Sequence, residues 1–251
     1  MDEWRDQILE INGMLVKARY REATVQGIFI PLLRHMTALQ AAKSRRIVVF
    51  LAAPPATGKS TLAAYLQALS EEMPGVQPIQ TLGMDGFHYH ADYIATHTVA
   101  VSGQTVPMQS VKGCPESFNL PRLQKKLSAL RTTDIWWPVY DRRRHDVIED
   151  ALQVKKSIIL IEGNWLLLDE DGWRTLQDQS DLTVMIKADE TVLKERLIQR
   201  KIRGGMARQA AENFYEQSDR RNILRVLAHA LPADIILYLR EDNDYAKEYE
   251  S

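Results

Sequence analysis

A chain of 251 residues with 45% hydrophobic content has room for one large α/β domain or two small ones. Its 32 Lys and Arg against 33 Asp and Glu leave a formal charge of -1, which excludes a global basic field for nucleic acid or anionic lipid, so any anion site must be local. The single cysteine, Cys114, excludes an internal disulfide framework, the six histidines lack zinc-motif spacing, and no apolar run approaches the roughly 18 residues of a membrane span; a cytoplasmic location is the expectation.

Residues 7–20 alternate around Asn12-Gly13, a dipeptide suited to a two-residue turn with positive φ, and this predicts a small β-hairpin. From 22 to 43, Val25, Ile28, Phe29, Leu32, Leu33, Met36 and Leu39 recur at three and four, predicting a core-facing helix that Pro31 kinks or breaks. These first 45 residues carry no evident chemistry and read as a packing extension.

The organising stretch comes next. Residues 47–52 are a β-branched apolar run, residues 53–58 break it, and Lys59-Ser60-Thr61 opens a helix. Strand, loop and helix in this order, ending in Gly-Lys-Ser, predict a phosphate-binding loop formed by Pro55, Ala56, Thr57, Gly58, Lys59, Ser60 and Thr61. Its backbone N–H groups would curl around phosphate, the lysine would supply a mobile positive charge, and the Ser60 hydroxyl would bind Mg²⁺. One position departs from the pattern, which wants glycine where the chain has Ala53.

Residues 76–82 predict a second strand, leading into Asp85-Gly86-Phe87-His88. Residues 98–118 read as a long acceptor-side loop, 119–130 as a helix capped by Asn119, and 136–141 as a short extended piece with both tryptophans in the core. Strands are expected at 157–161, ending in Glu162-Gly163-Asn164, at 182–186 and at 235–239. Helices are expected at 171–177, 191–203 and 207–229, with an acidic tail over 241–251. Alternating strands and helices argue for a mainly parallel sheet covered on both faces, with ligands beyond the C-terminal strand ends.

Three features should meet at that edge: the loop after the first core strand, Asp85 after the second, and Glu162 after a third. Phosphoryl transfer to an alcohol needs such a set, because oxygen ligands must hold Mg²⁺ and a carboxylate must orient the acceptor and take its proton. Ser60 and Glu162 are the metal-ligand candidates, and Asp85 is the base, with Gly86 giving room for substrate. Arg196, Arg200 and Arg203 share one helix face, and Gly204-Gly205 would let a lid over 196–210 hinge; Arg200 and Arg203, nearest the hinge, are the preferred catalytic arginines alongside Lys59. Candidate acceptor-binding residues are Asp85, His88, Tyr140, Arg142, His145, Glu162 and Asn164. Cys114 receives no role.

The succession of Gly58-Lys59-Ser60-Thr61, Met84-Asp85-Gly86-Phe87-His88, residues 112–118, Pro138-Val139-Tyr140-Asp141 and residues 161–168 resembles the phosphoribulokinase, uridine kinase and bacterial pantothenate kinase superfamily, and within it a little-characterised bacterial kinase-like branch. The resemblance spans about residues 46–240. It implies a P-loop NTPase three-layer sandwich with a helical lid, ATP and Mg²⁺ as cofactors, phosphorylation of a small-molecule hydroxyl, Asp85 as base and an arginine-bearing lid. The segment from Tyr140 to His145 is similar in spacing to uridine kinases and residues 115–118 to pantothenate kinases, so nucleoside, sugar and pantothenate-like acceptors all stay open.

Partners expected are therefore ATP and a small hydroxylated metabolite, with no nucleic acid and no membrane; a homodimer is compatible with the chain. The competing readings are a non-kinase P-loop hydrolase or a regulatory nucleotide-binding protein, and, more weakly, nucleic-acid binding through the three consecutive arginines. Ile186 stands where a guanine-reading amide would, which disfavours a GTPase.

Overall fold

The computed structural model describes residues 3–11, 13–101 and 103–247. Two strands, β1 (Trp4–Ile11) and β2 (Met14–Arg21), form the N-terminal hairpin; Asn12 of the expected turn lies outside the described residues, while Gly13 has φ 75°. The predicted helix follows in three pieces: α1 (Glu22–Thr24), a π-helical turn over Val25–Phe29, and α2 (Ile30–Lys43). Pro31 lacks the N–H that a continuous ladder needs, and the wide turn sits directly before it.

The P-loop strand β3 (Ile47–Ala52) leads to α3 (Lys59–Glu72), then β4 (Ile79–Gly83), a 3₁₀ turn over Met84–Phe87, and α4 (Ala91–Thr96). Residues 98–118 are not the irregular loop expected. They fold as a hairpin of β5 (Thr98–Val101) and β6 (Gln104–Pro107) followed by two 3₁₀ turns, and Val101, Val111 and Cys114 give the segment a small core of its own. Next come α5 (Leu120–Leu130), capped by Asn119 Oδ1 accepting from the Arg122 N–H at 3.1 Å, and a second hairpin of β7 (Ile135–Asp141) and β8 (Asp146–Val154). Trp137 is buried as expected, but Trp136 is 48% exposed, because successive strand residues face opposite sides.

The chain continues through β9 (Ile158–Gly163), a 3₁₀ turn over Arg174–Gln179, β10 (Leu182–Lys187), α6 (Glu190–Arg203), α7 (Arg208–Phe214), a π turn over Tyr215–Asp219, α8 (Arg220–Ala228) and β11 (Ile235–Leu239). The stretch expected as a polar tail adds a further strand, β12 (Tyr245–Ala246), and buries Asp244 and Tyr245.

The central sheet runs β12-β11-β10-β3-β9-β4. All neighbours pair parallel except β12, which is antiparallel on the edge. Every residue of β3 is buried because both faces are covered, and the period-2 pattern divides its side chains between two cores. Ile47, Val49 and Leu51 join α2, α3 and α6 on one face, whereas Val48, Phe50 and Ala52 meet α5, Trp137 and Trp165 on the other. The N-terminal hairpin belongs to the first core: Tyr20 packs edge-on against Phe29 (5.0 Å) and Tyr65 of α3 (4.8 Å), with Tyr245 at 5.9 Å. The architecture is thus the predicted α/β P-loop sandwich. Among the described residues no helix is long and apolar enough to cross a membrane.

Candidate active site

The departure at Ala53 costs the loop nothing. Ala53 is fully buried, and its N–H extends the sheet by donating to the Gly163 carbonyl at 3.3 Å; positive φ falls instead on Ala56 (67°) and Gly58 (90°). The left-handed turn is fixed by side chains. Thr57 Oγ1 donates to the Pro54 carbonyl at 3.0 Å, and the Tyr245 hydroxyl donates to the Thr57 carbonyl at 2.9 Å. A Cβ on Gly58 would stand 2.9 Å from that hydroxyl and 3.5 Å from Arg196 Nη2, so glycine is required by contact as well as by φ. Pro55 and Ala56 are half-buried, and Lys59, Ser60 and Thr61 form the first turn of α3, where backbone N–H groups lack intrahelical partners and favour an anion.

Because β3, β9 and β4 are adjacent and parallel, their C-terminal ends present the P-loop, Glu162 and Asp85 side by side. Ser60 Oγ donates to Glu162 Oε1 at 2.8 Å, and Lys59 Nζ is 3.7 Å from Oε2. Burial raises the Glu162 carboxyl above its ordinary range; Lys59 opposes this and Asp85 reinforces it. Two nearby carboxylates with one close cation form an electrostatic setting that a divalent ion relieves. The Ser60 hydroxyl and the Glu162 carboxylate are hard oxygen donors, a set that suits a cation such as Mg²⁺ when phosphate and water supply its other ligands.

Ser60, Asp85, Tyr140, Arg142 and Glu162 line one cavity of ≈ 170 Å³, with Ala63, Ala64 and Thr81 as further walls. Gly86 has a packing role beside the one expected. It lines the cavity, and its would-be Cβ lies 2.1 Å from the Pro138 carbonyl oxygen, so its missing side chain also makes room for β7. Trp137 Nε1 pins the same corner by donating to the Gly83 carbonyl at 2.9 Å.

His88, His145 and Asn164 do not line the cavity. The His88 ring is buried against Phe118 at 3.8 Å, and its Nδ1 lies 2.9 Å from the Asp85 carbonyl, which can only accept, so Nδ1 carries the proton. Burial holds that imidazole below the usual histidine range, and a neutral ring braces the Asp85 turn. His145 sits exposed at the β7–β8 turn with φ 55°. Asn164 Oδ1 is buried and has no hydrogen-bond partner among the described residues.

The arginine face divides in three. Arg196 contacts the P-loop side and hydrogen-bonds Asn243; desolvation lowers its pKa. Arg200 is shifted the same way, first by desolvation and then by the like charge of Arg142, while Asp85 pulls it back. Arg203 is exposed and makes no hydrogen bond or ion pair among the described residues; the arginine beside the P-loop is Arg196, the farthest of the three from Gly204-Gly205. Sequence reasoning also missed Lys112, whose Nζ donates to the Tyr140 hydroxyl at 2.8 Å and the His145 carbonyl at 3.2 Å, and it missed Glu10, Ile11 and Tyr245. Lys112 lay inside a recognisable motif; the other three carry no local signal.

No family model matches the chain. It is 40% identical to the uncharacterized protein YggC of Escherichia coli over 238 residues, covering 94% of this chain and 97% of that one. A protein of Schizosaccharomyces pombe named "Putative uridine kinase" is 26% identical over 77% of this chain and 83% of its own length, and bacterial pantothenate kinases match over 49% to 71% of theirs. Among solved structures, a "putative fructose transport system kinase" from a Silicibacter species superposes with TM-score 0.69 at 30% identity, over 80% of this chain and 98% of that one. The chain belongs to the uridine kinase and pantothenate kinase-like P-loop kinases, in the branch that contains YggC.

Proposed function

We propose that the protein is an ATP-dependent small-molecule kinase that transfers the γ-phosphoryl group to an alcohol oriented by Asp85. The observation that carries this reading is the meeting of Ser60, Glu162 and Asp85 at one cavity, with Lys59 beside Glu162. A hydrolase also uses a carboxylate, to orient water; the cavity that Asp85 lines, at ≈ 170 Å³, is larger than one water needs and so favours an alcohol acceptor.

The chain's own groups divide the work. Backbone N–H groups of residues 56–61 and Lys59 bind the phosphates and hold the terminal one toward the cavity. Ser60 and Glu162 would hold Mg²⁺, which when bound neutralises charge on the phosphate oxygens. Asp85 accepts the proton of the acceptor hydroxyl on a carboxylate oxygen as the new O–P bond forms and the bond to ADP breaks. Arg142, which lines the cavity, and Arg200, electrostatically coupled to Arg142 and Asp85, would supply positive charge to the transferring group, and the Tyr140 hydroxyl, polarised by Lys112, is available to a second acceptor oxygen. The names of the Schizosaccharomyces and Silicibacter proteins support hydroxylated acceptors in general.

ATP consumption is to be measured over nucleosides, sugars, sugar phosphates and pantothenate-like alcohols, and repeated with Asp85→Asn and Lys59→Ala. Acceptor-dependent ADP release should fall by roughly 10²–10⁴ in Asp85→Asn, the usual contribution of a general base. Acceptor-independent hydrolysis unaffected by Asp85→Asn would overturn the kinase mechanism.

A further inference from the structure

The N-terminal hairpin is a wall of the acceptor cavity. Glu10 and Ile11, at the end of β1, line it together with the P-loop helix, the end of β4 and the β7–β8 hairpin. Leu9 on the neighbouring position is buried in the core, and Ala63 and Ala64 of α3 are small enough for β1 to lie close along the helix. The far end is tied as well: Arg143 Nη2 donates to the Gly13 carbonyl at 3.0 Å, joining the tip of the first hairpin to the turn of the second. Two hairpins more than a hundred residues apart in the sequence thus close a roof over Asp85.

Glu10 has no structural employment. It is exposed and makes no hydrogen bond or ion pair among the described residues, although Arg142 lines the same cavity. A carboxylate placed on a binding cavity accepts hydrogen bonds from hydroxyl groups in two directions at once. It also repels an anionic acceptor, and Asp85 and Glu162 add to that repulsion. The volume points the same way, since ≈ 170 Å³ is below the roughly 300 Å³ at which drug-sized pockets begin, and Ser60 shows that part of it borders the transfer site.

We infer that Glu10 is an acceptor-specificity residue, and that the acceptor is a neutral polyol of monosaccharide size whose hydroxyls donate to the Glu10 carboxylate while another hydroxyl faces Asp85. This rests on the kinase reading above. It assigns to the N-terminal hairpin a share in substrate choice that its packing against α3 does not require.

The test uses the full chain with ATP and Mg²⁺, comparing neutral monosaccharides and alditols with nucleosides, sugar phosphates and sugar acids, for the wild type, Glu10→Gln and Glu10→Ala. The expected result is turnover of a neutral monosaccharide-sized polyol, with acceptor KM raised roughly tenfold or more in both variants and kcat changed less than threefold, as for a lost charge-assisted hydrogen bond. Glu10→Asp should recover part of the loss. Circular dichroism and the thermal midpoint check that the variants fold, which an exposed position makes the expected outcome. A nucleoside, sugar phosphate or sugar acid as the preferred acceptor overturns the inference, and so does an acceptor KM within twofold of wild type in Glu10→Ala; the kinase reading survives both. Absence of acceptor-dependent turnover across the panel, in protein that binds ATP, overturns both together.

Discussion

Replacing Tyr245 with phenylalanine isolates one bond between the C-terminal strand and the nucleotide loop. The ring is 2% exposed and packed with Tyr20 and Phe29, so the substitution keeps the apolar contacts and removes only the hydroxyl that donates to the Thr57 carbonyl at 2.9 Å. A neutral hydrogen bond contributes about 1 kcal/mol, and a buried carbonyl left without a partner costs about 1–3 kcal/mol, so a stability loss of about 1–2 kcal/mol is expected. For a chain of this size that lowers the thermal midpoint by roughly 2–8 °C. The same bond holds the turn at Ala56 and Gly58 in its left-handed conformation, so losing about 1 kcal/mol of restraint should also raise the KM for ATP about fivefold while acceptor KM stays near wild type. Urea denaturation with and without ATP, together with initial rates, reads both effects. A variant whose denaturation midpoint and ATP KM both match wild type refutes the reasoning.

Two further outcomes follow from geometry elsewhere. Asp181 is buried, which alone would raise its carboxyl, but hydrogen bonds from Arg45, the Val48 N–H and Lys43 bring it from 3.8 to about 2, worth about 2 kcal/mol at about 1.4 per unit. Since the folded pKa is depressed, this stability is present above pH ~4 and lost as pH falls toward ~2. Asp181→Asn should therefore unfold more easily in urea at pH 7, with the gap to wild type closing near pH 2; a gap independent of pH contradicts the assignment. Gly86→Ala forces a Cβ to within 2.1 Å of the Pro138 carbonyl oxygen, so the Asp85 turn must shift, costing about 1–3 kcal/mol and roughly 10²-fold in kcat; a variant with wild-type kcat in the acceptor assay would contradict this.

What could be read from the residues alone depended on range. The strands β3, β9 and β10 are near-continuous apolar runs because both sheet faces are covered, and such runs stand out from their surroundings; the P-loop, Glu162 and Asp85 follow from their positions after strands. The β5–β6 and β7–β8 hairpins are two-stranded and largely exposed, so their alternation is diluted by polar residues such as Glu149 and Asp150, and β8 gave no signal. Glu10, Tyr245 and the contact of Arg196 with Gly58 are products of chain reversal over long separations, which no local pattern encodes. Gly86 shows a subtler limit: the cavity it lines is beside a motif, but the strand that also needs the space of its missing Cβ lies more than fifty residues away.

The brace at Tyr245 has a consequence for how the molecule is made. The hydroxyl reaches back 188 positions to Thr57, and the neighbouring Asp244 accepts from Thr24 Oγ1 across 220. A nascent chain that has already exposed the Gly58-Lys59-Ser60 turn to solvent still lacks the strand that supports it, and such long closures are the slow ones in folding. A chain synthesised short of residue 245 therefore has a phosphate loop without this support, and a chain extended past it has a loop held from the far end of the sequence as well as by its own Thr57.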